Sequence, residues 1–139
     1  MFVGLDIGTS GVKAVVIDTQ GAILATAQAA IDVSQPAPLW SEQNPEDWWQ
    51  ACVSAMQGIH RQLGDAAQAI QAIGLAGQMH GATFLDAQGA VLRPCILWND
   101  GRSAQQCVDI ENQEPKSRDI TGNIAMPGFT APKLSWVKE

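Results

Sequence analysis

The sequence predicts an α/β fold whose mixed sheet begins as an antiparallel β-meander and is flanked by helices. An apolar strand over residues 2–7 leads through a turn of small residues into a β-branched run over 14–17. Residues 18–21 have the aspartate and the glycine that a tight turn needs, and residues 22–25 run back as a third strand. A helical pattern and further strand patterns follow, so the meander is expected to be covered by helices.

A helix is predicted from residue 45 by its start signals and its periodicity. Asn44 can cap it, Pro45 suits its first position, and the two acids that follow favour the positive end of the helix dipole. Apolar residues then recur every three or four positions, at Trp48, Cys52, Met56, Ile59 and Leu63. We expect this stripe to face the core, His60 to lie on the surface, and the helix to end at Gly64.

The second half is predicted to be strand-rich and to end in a helix. Three buried strands are expected, over 69–76, 82–85 and 91–98. A polar amphipathic stretch from Asp100 to about residue 113 predicts a helix, and Thr130 is a candidate cap for the last one. That helix has no stop signal before Glu139, so we expect a truncated chain.

Composition restricts the class of protein. With 139 residues and 46% apolar content, the chain has the size of one domain with a core. A net charge of −6 opposes nucleic-acid binding, and the eight basic residues do not cluster. No stretch resembles a membrane span or a leader, so we expect a cytoplasmic protein with neither nucleic acid nor membrane as partner. Cys52, Cys95 and Cys107 are widely spaced, which predicts reduced, packed thiols rather than disulfides or a zinc site.

The turn between the first two strands has the residue types that phosphate binding requires. Its glycines let backbone N–H groups approach an anion, Thr9 and Ser10 add hydroxyl donors, and Lys13 supplies positive charge. Asp6, at the end of the strand, suits a hydrated Mg²⁺ ion. Neither a Walker loop nor a dinucleotide-binding loop fits the spacing. The alternative is an ordinary tight turn with a solvent-facing aspartate.

A second polar segment, G-Q-M-H-G over 77–81, directly follows a predicted strand, at the end where ligands of α/β proteins collect. Gln78 and His80 can hydrogen-bond hydroxyl groups in either direction, which suits a neutral polyol. The alternative is a loop histidine whose hydrogen bonds are satisfied within the protein.

A third segment, L-W-N-D-G-R over 97–102, also follows a predicted strand. The indole of Trp98 stands beside an amide, a carboxylate and a guanidinium, a combination that suits a sugar. The alternative, compatible with the first, is that Asp100 caps the following helix and pairs with Arg102 on the surface.

Five motifs in this order resemble FGGY-type carbohydrate kinases and together cover essentially the whole chain. They are D-I-G-T-S-G-V-K from Asp6, P-L-W-S-E-Q-N-P from Pro38, G-Q-M-H-G-A from Gly77, L-W-N-D-G-R from Leu97 and T-G-N-(x)3-P-G-F-T-A-P-K-L-x-W from Thr121. The resemblance implies a two-domain enzyme with an actin-like (ribonuclease H-like) ATPase fold. Residues 1–139 would be the N-terminal portion of its first domain, with the rest of that domain and all of the second absent.

The resemblance also implies the chemistry and the residues that perform it. The whole enzyme would transfer the γ-phosphoryl group of ATP to D-xylulose, giving D-xylulose 5-phosphate. Xylulose is favoured over glycerol because glycerol-phosphorylating relatives have an arginine and a glutamate in place of Met79 and His80. Asp6 would organise Mg²⁺. The residues facing the ATP phosphates would be Gly8, Thr9, Ser10 and Lys13, and those facing the sugar Gln78, Met79, His80, Trp98 and Asp100. The catalytic base of the family is an aspartate in a later segment, so the isolated chain is expected to be inactive.

Two other interpretations remain at this point. One is a non-enzymatic binding or assembly module that retains a half-site. The other is a piece of a chaperone or actin-like ATPase, which should lack the segments over 77–81 and 97–102. Under any of the three, an incomplete sheet leaves an open edge and bare apolar surface, so we expect a homo-oligomer.

Overall fold

The computed structural model describes residues 1–138, which form two units. The first comprises residues 1–32 and 45–78, and the second comprises residues 33–44 and the chain from Met79 onward. The strands are β1 (Phe2–Ile7), β2 (Gly11–Ile17), β3 (Ile23–Ala30), β4 (Glu42–Gln43), β5 (Ala72–Gly77) and β6 (Cys95–Ile96). The helices are α1 (Pro45–Leu63), α2 (Ala104–Gln113), α3 (Ser117–Thr121) and α4 (Thr130–Lys138), with a 3₁₀ helix over Gly64–Ala69.

The sheet of the first unit confirms the predicted meander. Its strand order is β3-β2-β1-β5, in which β1, β2 and β3 are antiparallel neighbours and β5 lies parallel to β1. The turn between β2 and β3 is held by the Asp18 carboxylate, which accepts hydrogen bonds from the amides of Gln20 and Ala22. Gly21 completes that turn at a φ of +85°, a conformation that favours glycine.

Helix α1 covers one face of this sheet, as its periodicity predicts. The side chains alternate along β1 and β2, so Val3, Leu5, Val12, Ala14 and Val16 are buried on one face. They form one core with Ala51, Cys52, Ala55 and Ile59 of the helix. A Cβ on Gly58 would lie 2.7 Å from that of Ala27, so a glycine is needed where α1 crosses β3. His60 is exposed, as expected.

The second unit is built around a short antiparallel pair, β4 with β6, and the helices α2, α3 and α4. Its buried apolar residues are Ala82, Cys95, Ile96, Leu97 and Cys107. Polar and charged side chains share this interior, and they are described with the site below. All three cysteines are free and buried, and burial raises the pKa of each thiol, which agrees with the predicted packed thiols.

Several predicted boundaries were wrong. The strand expected over 69–76 begins at Ala72, and its residues are exposed because no described element covers them. Residues 82–85 and 91–98 are mostly irregular chain joined by isolated bridges, and β6 is the strand that they contain. The helix expected from Asp100 begins at Ala104. The sequence patterns also missed β4 and α3, which are two and five residues long and too short to show a period.

None of the helices within residues 1–138 has the length and apolar character that crossing a membrane requires.

Candidate functional site

The glycine-containing turn between β1 and β2 forms a concave surface in the first unit, and the pocket at this surface has a volume of about 350 Å³. The amide of Gly8 donates to the carbonyl of Gly11 at 3.0 Å and closes the turn. A Cβ on Gly11 would lie 2.5 Å from the carbonyl oxygen of Ala29, so a side chain there would collide with β3. The surface is lined by Asp6, Gly8, Ser10, Gly11, Val12, Lys13, Gln28, Ala29 and Ala30. Small residues therefore leave backbone open to a ligand at this turn.

Asp6 and Lys13 stand opposite each other in the β1–β2 register. Both are exposed, on the face of the sheet that points away from α1. Directly opposed side chains on an antiparallel pair have Cβ atoms about 4.5–5.5 Å apart. The turn is thus bordered by one carboxylate and one ammonium group, which suit a metal ion and a phosphate respectively.

The residues at this turn fit Mg²⁺ as a partly hydrated ion. Magnesium is commonly held by one or two carboxylates together with substrate phosphates, and it keeps several waters. Residues 1–138 contain no cluster of three or more histidine, cysteine, aspartate or glutamate side chains that could form a closed metal cage. Asp6 is the carboxylate that lines the turn, so the donor set matches an ion that arrives with a nucleotide.

Gln78 connects the end of β5 to this turn within the first unit. The side-chain oxygen of Gln78 accepts a hydrogen bond from the Thr9 hydroxyl at 3.1 Å. The backbone N–H of Gln78 donates to the carbonyl of Ile7 at 2.9 Å. Gln78 was predicted to contact the sugar. That contact stays a prediction, and in the structure the Gln78 side chain is hydrogen-bonded to Thr9 in the turn between β1 and β2.

His80 occupies an unusual backbone conformation in the second unit. Its φ is +62°, in the left-handed region that non-glycine residues seldom adopt. Its ring packs edge-on against Phe129, with the centroids 4.9 Å apart, and its carbonyl accepts a hydrogen bond from the Thr130 hydroxyl at 3.2 Å. The neighbouring Met79 side chain is 66% exposed. Both predicted sugar-contacting residues are therefore accessible.

Trp98 and Asp100 differ sharply in exposure. Trp98 is 48% exposed, whereas Asp100 is 2% exposed. The Asp100 oxygens accept four hydrogen bonds: two from the side chain of Arg102, one from its amide and one from the amide of Ser41. A carboxylate has about four acceptor positions, so this one is saturated. The predicted pairing of Asp100 with Arg102 is confirmed, but the pair lies in the interior and not on the surface. Asp100 does not cap α2, because the residue at the cap position of this helix is Ser103.

Arg102 lies at the centre of a buried charge cluster. Its side chain is 1% exposed, donates to Glu42 at 2.6 Å, and lies 3.7 Å from the ring centroid of Trp40 and 5.0 Å from that of Trp136. Burial raises the pKa of the Asp100 carboxyl, but the hydrogen bonds from Arg102 and Ser41 outweigh it and leave the pKa below its usual value. Asp100 is thus held in its charged form inside the unit by Arg102 and Ser41.

Sequence patterns missed one residue beside His80. Lys133, on α4, is fully buried, and its ammonium group contacts the carbonyl of His80. Lysines are seldom fully buried, and its acceptors are backbone carbonyls, which leave no trace in a sequence. Lys133 does fall within the motif ending in P-K-L-x-W, but that motif does not indicate a contact with His80.

Comparison with known proteins identifies the family. The N-terminal domain of the FGGY family of carbohydrate kinases matches residues 1–139, and the chain belongs to this family. It is 56% identical over 138 residues to the xylulose kinase of Escherichia coli (strain K12), covering 99% of this chain and 28% of that protein. The chain thus spans little more than a quarter of the length of this relative.

Solved structures agree with the family assignment. The crystal structure of a xyloylose kinase from Brucella ovis superposes with a TM-score of 0.93 at 52% identity, over 97% of this chain and 28% of that one. The xylulose kinase from Rhodospirillum rubrum gives a TM-score of 0.92 at 28% identity, over 98% and 28%. These neighbours have the actin-like ATPase fold of FGGY sugar kinases, so the predicted fold class is confirmed.

Proposed function

We propose that this chain is the N-terminal domain of a cytoplasmic xylulose kinase (xylulokinase) that uses ATP and Mg²⁺. The complete kinase, meaning this chain followed by the length that its curated relatives have beyond it, transfers the γ-phosphoryl group of ATP to the terminal hydroxyl of D-xylulose. The products are D-xylulose 5-phosphate and ADP, and the proton of the sugar hydroxyl passes to the catalytic base. The observation that carries this proposal is the opposed Asp6–Lys13 pair at a glycine turn, in a chain more than half identical to a xylulose kinase.

The turn between β1 and β2 handles the phosphates. The hydroxyl of Ser10 donates a hydrogen bond to a phosphate oxygen, and the Lys13 ammonium offsets the phosphate charge. Gly8, whose amide is used within the turn, has no side chain and lets the phosphates approach the backbone, and Thr9 holds the turn through Gln78. Asp6 would hold Mg²⁺, which when bound would supply positive charge to neutralise the phosphoryl oxygens. The Thr9–Gln78 hydrogen bond keeps the turn in one conformation.

Met79, His80 and Trp98 contact the sugar. The exposed Met79 and Trp98 offer apolar surface to the C–H faces of a pentulose, and the His80 imidazole hydrogen-bonds a hydroxyl. Asp100 has no acceptor position left, so its contribution is to hold the Trp98 segment through Arg102. Gln78 acts from the phosphate side through Thr9.

Phosphoryl transfer also needs a base and a closed nucleotide site. Positioning of all the reacting groups together supplies most of the rate in this class of reaction. We place the base, an aspartate, in the length that the relatives have beyond this chain. The isolated chain is therefore inactive, and a coupled assay with ATP and xylulose should show no turnover above that of its Asp6→Ala variant.

The test of the sugar assignment is His80→Ala in the complete kinase. We expect kcat/KM for D-xylulose to fall roughly 30-fold or more, because a buried sugar hydroxyl loses its hydrogen-bond partner. This factor corresponds to a loss of transition-state stabilisation of about 2 kcal/mol. The KM for ATP should stay within about twofold. His80→Asn, which tolerates the left-handed backbone, separates the loss of the imidazole from backbone strain.

The matched control is His60→Ala, because His60 is the other histidine and is exposed on α1. This variant should behave as the wild type. A His80→Ala enzyme that lost ATP affinity and kept its sugar KM would overturn the sugar assignment, and a wild-type kinase that phosphorylated no xylulose would overturn the proposed function.

We also propose that the isolated chain self-associates through the edge strand β5. All six of its residues are exposed, among them Ile73 at 55% and Leu75 at 73%. An unpaired, apolar strand edge favours pairing with a copy. Sedimentation at low micromolar concentration should show dimers or larger species, and Leu75→Lys should reduce them. Ile120→Lys, at a similarly exposed position on α3, is the control. A monomeric wild-type chain would contradict this proposal.

A further inference from the structure

Lys133 is the most unusual charged residue of the second unit. It lies in the first turn of α4 and is 0% exposed. Its ammonium nitrogen donates to three backbone carbonyls: those of Gly128 at 2.5 Å, His80 at 3.1 Å and Phe129 at 3.3 Å. An ammonium group has three N–H donors, so this set of acceptors satisfies it completely.

This arrangement is costly if the side chain only fills space. Removing an ammonium group from water carries a penalty of several kcal/mol, and an apolar side chain of similar volume often serves packing as well or better. In the part of the chain that the structure describes, no carboxylate forms an ion pair with Lys133. Burial accordingly lowers the pKa of Lys133, although the negative charge of Asp100 counteracts part of this effect. The benefit of the cation has to lie in the carbonyls that it holds.

The carbonyls belong to the segments that carry the site residues. The left-handed backbone at His80 costs on the order of 1–3 kcal/mol and persists only where its surroundings fix it. Lys133 and the Thr130 hydroxyl both donate to the His80 carbonyl, and the ring of Phe129 packs on the His80 imidazole. A Cβ on Gly128 would lie 2.7 Å from the carbonyl oxygen of Trp98, so this segment also fits closely against the Trp98 backbone.

We propose that Lys133 is a positioning residue for the sugar site. It fixes the peptide at His80 in its left-handed conformation and so sets the direction in which the imidazole meets a sugar hydroxyl. Through Gly128 it also holds the segment that packs on Trp98. This inference rests on the proposed function of His80, and Lys133 itself touches neither sugar nor nucleotide.

The test is Lys133→Met in the complete kinase, which keeps the length of the side chain and removes the donors. We expect the KM for D-xylulose to rise at least tenfold while the KM for ATP stays within twofold. Amide hydrogen exchange of a peptide covering residues 79–82 should accelerate. Thr130→Val, which removes the other donor to the same carbonyl, should give a smaller change of the same kind and covers the case in which Lys133→Met fails to fold.

Cys107→Ala is the matched control, because Cys107 is buried in α2 of the same unit and its thiol donates to the carbonyl of Ser103 and not to that of His80. It should lower thermal stability without raising the sugar KM. Equal increases in sugar KM for Lys133→Met and Cys107→Ala would overturn the inference, as would an unchanged sugar KM in Lys133→Met and Thr130→Val beside an active wild type. Absence of xylulose phosphorylation by the wild type would instead reject the proposed function, and this inference with it.

Discussion

Asp6→Ala in the complete kinase should lower kcat by on the order of 10²–10³-fold while the KM for D-xylulose changes little. Asp6 lines the turn between β1 and β2, opposite Lys13 and on the exposed face of the sheet. Under the proposed function this carboxylate would hold the metal ion beside the phosphates, and its loss would be felt mainly in the transition state. Steady-state assays with ATP and xylulose varied separately measure both quantities.

Two variants make this prediction sharper. Asp6→Asn keeps the size of the side chain and removes its charge, so it should lose nearly as much activity as Asp6→Ala. Asp65→Ala removes an exposed carboxylate elsewhere in the same unit and should retain the wild-type kcat. Asp6 would have no place in the metal site if Asp6→Ala kept its kcat. The same conclusion would follow if the kcat of Asp6→Ala and that of Asp65→Ala depended on Mg²⁺ concentration in the same way.

The parts of the fold that short-range patterns encode could be predicted. The turn between β1 and β2, the turn at Asp18 and the stripe of α1 depend on residues a few positions apart. The exposure of β5 could not be predicted, because an apolar run specifies a strand but not what covers it. Residues 82–85 show the same limit, since their alternation satisfies the strand pattern while their partners form only single bridges.

In the candidate site, too, features set by residues close in the chain could be predicted, whereas contacts between distant residues could not. That Asp6 and Lys13 border the same turn could be predicted because only a few residues separate them along the chain. The full set of hydrogen bonds of Asp100 could not be predicted, because it includes the amide of Ser41, 59 positions away in the chain, as well as Arg102. Long-range contacts of this kind, and those of Lys133 with backbone carbonyls, depend on tertiary packing that a single sequence does not display.

Arg102→Met should destabilise the second unit by about 3–5 kcal/mol, because it leaves the buried carboxylate of Asp100 without its cation, whereas Glu42 keeps its ion pair with Arg93. Arg102 donates to both oxygens of Asp100 and to Glu42, and its guanidinium stacks on Trp40. Methionine fills part of the volume but supplies neither charge nor donors. Denaturant-dependent hydrogen exchange of peptides from α2 and α4 in the complete kinase measures the loss. Arg118→Met, which breaks the exposed pair with Glu111, should leave this exchange unchanged.

The same cluster predicts a dependence of stability on pH. The folded-state pKa of Asp100 is lower than its ordinary value of 3.8, so the folded state binds fewer protons than the unfolded state between these two pKa values. The stabilisation from Asp100 is therefore fully present above about pH 4 to 5 and is lost as the pH falls through the folded-state pKa. Arg102→Met removes the hydrogen bonds that lower this pKa, so its stability should change less steeply with pH in that acidic range. An equally steep acid transition in Arg102→Met and the wild type would show that the Asp100–Arg102 pair does not stabilise the unit.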